Sequence, residues 1–172
     1  MLSPRGNIPL LPIQTGDEAI SSLIDKRLRA IAASYRDWAG DKPIAARADI
    51  VPRKIPRLLP YILLFDRVTQ RGRTGFGTRL CGSEIVDMLR FDATGQFIDA
   101  NAPKDDISFR IARTQTMVIE TRAPVRASGN LRLAGREFVH FEAIFFPLSE
   151  DGKTIEKIIG GVARSPVNWD QK

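Results

Sequence analysis

The segment EFVHFEAIFFPLSEDGKTIEKIIGGVARS, residues 137–165, sets two apolar runs on either side of a polar Ser149-Glu-Asp-Gly152. Asp-Gly is a tight-turn signal, since glycine supplies the positive φ that other residues resist, so the segment reads as a hairpin. Successive side chains on a strand point to opposite faces. Phe138, Phe141, Ile144, Phe145 and Phe146 occupy both parities, so this strand is apolar on each side. An antiparallel sheet that is apolar on both faces needs a covering layer on both.

One cover is legible upstream. Thr15 and Glu18 have capping-box spacing. Ile20, Leu23, Ile24, Leu28, Ile31, Tyr35 and Trp38 follow at three- and four-residue steps before Gly40. The spacing predicts one amphipathic helix of about six turns over 15–40. Its stripe needs either its own domain or a second copy of the chain, so Leu23, Ile24, Leu28, Ile31, Tyr35 and Trp38 are candidate dimer-interface residues. Residues 1–14 carry Pro4, Pro9 and Pro12, which block regular pairing and predict a loose arm. The four prolines of 41–60 predict a connector with a short helical turn near 57–59.

Strands are expected at 61–68 and 76–81, joined around Gln70–Gly75. A mostly helical middle follows, with Ser83 capping one short helix and Asp105 or Asp106 capping another that runs to about Ile119. Strands return at 123–133, 136–146 and 154–164, with Pro147 expected to end pairing before the last turn. Two strands, helices, then three strands define an α+β fold: a five-stranded antiparallel sheet with helices on one face and an N-terminal cap helix on the other. The expected organisation is an arm (1–14), a cap and dimerisation helix (15–40), the domain (41–165) and a tail (166–172).

Within that order sit Trp38, Pro43, Arg47, Asp49, Pro52 and Leu59-Pro60. Arg79-Leu80-Cys81-Gly82, Asp92-Ala-Thr-Gly95, Gly135-Arg136, Phe141-Glu142 and Pro147-Leu148…Asp151-Gly152 follow. The ordered set, over roughly 35–165, resembles the bacterial single-domain PAS-like family long catalogued as a domain of unknown function. Cys81 stands where that pattern has an aliphatic residue. The resemblance implies sensing or regulation through protein contacts and names no ligand.

Composition limits the chemistry. Of 172 residues, 43% are hydrophobic and 27% charged, as expected of a globular domain. No apolar run is long enough to cross a bilayer, and the N-terminus lacks a secretory h-region; the cytoplasm is the expected compartment. A single cysteine excludes an internal disulfide or a multi-cysteine metal site. A single histidine, His140, excludes a two-histidine metal site and a triad built on a second one; it is expected at a partly exposed sheet position. In haem-binding PAS domains the ligand often comes from the helical middle, which has no histidine here. The flavin-adduct class carries an Asn-Cys-Arg-Phe motif that is absent. Neither haem nor flavin is expected, and the cofactor is left unknown. Cys81 reads as apolar filler. Gly72–Gly77 follows a strand without opening a helix, so it is no phosphate loop. Arg53-x-x-x-Arg57 matches half of a cyclic-dinucleotide motif whose companion is missing.

The expected reading is a non-catalytic sensory or regulatory protein acting on a protein partner or a second copy of itself. A small molecule in the core would be lined by Phe97, Ile107, Ile111, Phe141 and Ile158. Arg47, Asp49, Arg79 and Glu142 would form a polar mouth or, preferably, an ion-pair set tying the connector to the sheet. Two rivals stay open. Residues 1–90 hold 15 Lys/Arg against 9 Asp/Glu, while 91–172 hold 11 of each; the basic half could bind nucleic acid or another anionic partner, but no helix or strand concentrates the charge on one face, and a solvated surface is the preferred reading. The second rival is a small enzyme using the cavity, with His140 and Glu142 as its acid–base pair.

Overall fold

The computed structural model describes residues 13–104 and 106–169. Strands β1 (Ile13–Thr15), β2 (Ile62–Gln70), β3 (Arg73–Cys81), β4 (Phe97–Asp99), β5 (Val125–Leu131), β6 (Arg136–Leu148) and β7 (Lys157–Ser165) form one sheet. Its spatial order is β1-β5-β6-β7-β2-β3-β4, and every neighbouring pair is antiparallel. Helices α3 (Ser83–Leu89) and α4 (Ile107–Thr121) cover the inner face, and α1 (Gly16–Ser21) with α2 (Lys26–Ala39) covers the outer one. The α+β antiparallel class agrees with the sequence reading.

The two added strands, β1 and β4, are three-residue edge pieces too short for an alternation signal. β1 corrects the expected arm at Ile13 and Gln14, which pair with Ala127 and Arg126. The rest of the arm, and Asp105, lie outside the described residues. Asp106 caps α4 by accepting from the Ser108 amide at 2.8 Å. The α3 cap is Gly82, not Ser83, which is the first helical residue. A Cβ at Gly82 would lie 2.2 Å from the Pro60 carbonyl oxygen. Pro147 does not end pairing: it lies opposite Ile158, with Leu148 opposite Lys157. The turn after it is a longer loop, 149–156, organised by Asp151. That carboxylate accepts from the Thr154 and Lys153 amides at 2.7 and 2.8 Å, bonds that hold its pKa down at about 2.

The alternation expected of the last hairpin is realised on both faces. On β6, Val139, Ala143 and Phe145 join the inner core, while Ile144, Phe146 and Leu148 join the outer one. Leu28 and Ile31 of α2 are fully buried against that outer face, with Tyr35 beside them. The Tyr35 ring stacks on Phe146, centroids 4.4 Å apart, and its hydroxyl donates to the Pro147 carbonyl at 2.7 Å.

Close approach on both sides of the central strand depends on two glycines. A Cβ at Gly160 would meet the Phe145 ring at 2.1 Å; one at Gly161 would meet Ile31 Cδ1 at 2.5 Å and Leu28 Cδ2 at 3.0 Å. Each is far inside ordinary van der Waals contact. Gly161→Ala should therefore cost about 1–3 kcal/mol in urea denaturation by overpacking. Combined with Ile31→Ala, the loss should fall short of the sum of the two single losses, because the second change vacates the space that the new methyl needs.

Candidate functional site

The predicted six-turn cap helix is broken at residues 22–25. Thr15 sits at the α1 N-cap position but makes no side-chain capping bond. The break has a physical cause on the far side of the sequence. Continuing the helix would require the Ile24 and Asp25 amides to bond back to the preceding turn. They donate instead to the two carboxylate oxygens of Glu142 on β6, at 2.8 and 2.9 Å. Asp25 then caps α2, accepting from the Arg27 and Leu28 amides at 2.7 and 3.3 Å, and ion-pairs with the Arg27 guanidinium at 2.6 Å. Burial alone would raise the Asp25 carboxyl, but these bonds together hold it below the usual carboxylate range.

Glu142 is 1% exposed and its partner Arg126 on β5 is 4% exposed, with Nε 2.9 Å from Oε1. Arg126 also donates to Gln14 of β1 at 2.8 Å, and its guanidinium lies 5.3 Å from the centre of the Trp169 ring. The Trp169 amide donates to Nδ1 of His140 at 3.4 Å, and His140 is half-buried on the same side. A single ion pair thus gathers β1, the break between α1 and α2, and the chain near residue 169. Removing one member would leave the other buried and uncompensated.

On the inner face, α3, α4 and the sheet line a partly open cavity of about 100 Å³. Ile107, Ile111, Phe141, Phe145 and Leu131 are among its walls, with Thr114 and Gln115 from α4 and Arg110 and Asn130 beside them. Burial, and then the charge of Arg132, press the Arg110 pKa below its ordinary value. No carboxylate, histidine or thiol lines the cavity among the described residues. No group of three or more such side chains is placed to hold a metal there either.

The expected ligand set divides. Ile107, Ile111 and Phe141 meet at the cavity. Ile158 is buried in the same core without lining the space. Phe97 is drawn off to the β4 edge, opposite Gly77, with its ring against Gly75. Glu142 faces the outer layer, and His140 with it, so the acid–base pair of the enzymatic reading lies behind the cavity wall.

The expected ion-pair set of Arg47, Asp49, Arg79 and Glu142 is not assembled. Asp49 pairs with Lys42 and accepts from the Ala46 amide, bonds that hold its carboxyl down. The Arg47 amide donates to Glu150, and Arg79 stands exposed on β3. Glu142 takes Arg126 instead. Of the expected dimer residues, Leu23, Leu28, Ile31 and Tyr35 are buried against the chain's own sheet. Ile24 is 45% exposed, and Trp38 is part-buried at the edge of the same cluster. Cys81 is buried, which raises its thiol pKa. Two residues that matter, Arg126 and Gln115, were not singled out from the sequence. Gln115 was detectable in principle, since Ile107, Ile111, Gln115 and Val118 share one helical stripe.

A sheet with helices on its inner face, a small apolar cavity between them and a helical cap behind is the architecture of a PAS-type module. A family model of the PAS domain matches residues 25–163, and the chain belongs to that family. PAS domains are generally non-catalytic sensory modules that often mediate protein interactions. No curated protein and no solved structure matches the chain. Among the described residues no helix is long and apolar enough to cross a membrane.

Glu142→Gln should lower stability by about 3–5 kcal/mol, since it leaves the buried Arg126 charge without a counter-charge. The paired replacement Glu142→Leu with Arg126→Met should cost less than Glu142→Leu alone, since both leave the Ile24 and Asp25 amides unmet and only the single change also leaves the Arg126 charge buried and unpaired. Urea denaturation measures both, and a loss under about 1 kcal/mol for Glu142→Gln would show the pair to be dispensable.

Proposed function

We propose that this chain is a cytoplasmic sensory or regulatory protein without a reaction of its own, whose output is contact with another protein or a second copy of itself. In this reading a small molecule occupies the inner cavity and biases how firmly the N-terminal cap is held. A ligand can do that only through a difference in affinity between the two arrangements of the cap.

One observation carries the reading. Strand β6 presents Phe141, Ala143 and Phe145 to the cavity and, at alternate positions, Glu142, Ile144 and Phe146 to the cap. Any shift of this strand that accommodates a ligand also moves the carboxylate that the cap amides depend on. Packed layers respond to such shifts by switching between arrangements rather than deforming smoothly. The outer side of the cap, with Ile24 and the exposed part of Trp38, is the surface this reading offers to a partner.

Filling the cavity by substitution should mimic occupancy. In Ala143→Val, hydrogen exchange followed by mass spectrometry is expected to change severalfold over 16–39 as well as around the cavity. Change confined to α3, α4 and the cavity wall would contradict the coupling. The second-copy form of the output predicts a concentration-dependent dimer in sedimentation of the full chain. Ile24→Asp combined with Trp38→Lys should return it to a monomer.

A further inference from the structure

Helix α3 is closed at its end by a group from elsewhere in the chain. Its last turn holds no basic residue of its own. The Phe91 amide, which would continue the ladder to Asp87, bonds to the Val86 carbonyl instead at 3.3 Å. The next carbonyls, of Asp87 and Met88, accept from one nitrogen of the Arg136 guanidinium at 3.3 and 2.8 Å. Arg136 opens β6, 48 residues downstream of Met88. A cation at the negative end of a helix is favourable, and a charged donor makes the stronger hydrogen bond. The ion pairs of the Asp87 carboxylate with Arg90 and Arg164, at 3.3 and 3.6 Å, are exposed and add little. The segment is tied down on both sides of this contact. Before α3, the Gly82 amide donates to the Ile62 carbonyl at 2.8 Å; after it, the Gly95 amide donates to the Thr78 carbonyl at 2.8 Å. Between those ties Ile85, Met88 and Leu89 form one side of the cavity. Leu89, at the Arg136 end, is part-exposed, as are the lining residues Leu133 and Phe141. Phe141 lies opposite Arg164, which reaches Asp87, so the open side of the cavity is at that end.

We infer that residues 83–94 form a flap over the cavity, hinged at Gly82 and Gly95, and that Arg136 is the clasp that holds it shut. The inference rests on the ligand-cavity reading given above, for which it supplies the way in. A seven-residue helix about 10 Å long is too short to be stable by itself, so its position is set by what holds it. With the flap shut, Arg136 answers the Asp87 and Met88 carbonyls; with it swung outward, water does. Losing Arg136 therefore takes an advantage from the shut arrangement alone, which makes it a positioning residue that need not touch a guest. The chain carries its own reporter. Cys81, the one cysteine, is buried just before the first hinge, with the Ala93 backbone hydrogen-bonded to its thiol. Lifting the flap withdraws Ala93 and uncovers the sulfur.

The test is labelling of Cys81 in the full chain by the neutral reagent methyl methanethiosulfonate, timed by mass spectrometry. Arg136→Ala is expected to label about tenfold faster or more, since a hydrogen bond from a charged donor is worth at least that factor. Arg136→Lys, whose ammonium can still donate to a carbonyl, should stay within about threefold of the native chain. Arg122→Ala removes a matching pair of guanidinium bonds, to the Gly152 and Lys153 carbonyls, and should label at the native rate. Amide exchange in β6 and β7 should be the same in Arg136→Ala as in the native chain. Equal labelling of Arg136→Ala and the native chain would overturn the clasp. Acceleration by Arg122→Ala to the same degree, or core exchange rising in step with labelling, would make Arg136 a support of the whole domain and overturn it too. The unmodified chain gives a second reading: its labelling should barely respond to low urea, because lifting the flap exposes little surface, and a rate that follows global unfolding would overturn the flap. Xenon, which apolar cavities of this order take up, probes the ligand cavity itself, with saturable amide shifts expected at Ala143 and Phe145. Xenon binding with labelling indifferent to Arg136 would overturn the flap and leave the cavity standing. No xenon shift would overturn the cavity as a ligand site, and the flap's purpose with it.

Discussion

The carboxylate of Glu142 is the point on which the helical cap behind the sheet depends. A buried anion is costly unless it is paired and hydrogen-bonded. This one has the Arg126 guanidinium on one side and the Ile24 and Asp25 amides on the other. Those amides are available because the cap helix is interrupted, and the interruption is stable because the amides are satisfied. The interruption lets α1 follow β1 along the sheet edge while α2 lies across its centre, and Asp25 restarts the helix at the bend.

The rest of the packing follows from how closely α2 can approach. Gly161 removes the one side chain that would hold Leu28 and Ile31 off the central strand. Gly160 does the same for Phe145 on the opposite face. The consecutive glycines thin the sheet where it is covered on both sides, and β6 lies beside them as the strand that borders both layers. A cavity wall and the anchorage of the cap are therefore alternate residues of one backbone. That adjacency, more than any single side chain, gives the module its means of relating a bound molecule to an outer surface.

Much of this was legible in the sequence where the signal is local and periodic. The stripe of Leu28, Ile31 and Tyr35 follows helical spacing, and the two-sided apolar character of β6 implied a layer on each face. The break at 22–25 was not legible, because its cause lies about 118 residues away on another element. The ligand set was over-assigned for a related reason. Phe141 and Glu142 are neighbours on a strand and must face opposite ways, so no one cavity can take both. Phe97 was hidden by a three-residue edge strand. Gln115 looks like an ordinary helical polar residue until its place in the stripe of Ile111 and Val118 is read as burial. Arg126 gave no local signal, since an arginine on a strand is ordinarily at the surface.

The account turns on whether the Glu142 carboxylate holds the Ile24 and Asp25 amides in solution. Residue-resolved hydrogen exchange by NMR on the unmodified chain measures this directly. Although they lie outside any helix or strand, these two amides are predicted to exchange as slowly as the core of β6 and β7, only when the whole domain opens. Exchange at the rate of an open surface loop would contradict it, and would leave the cap resting on the sheet by apolar contact alone.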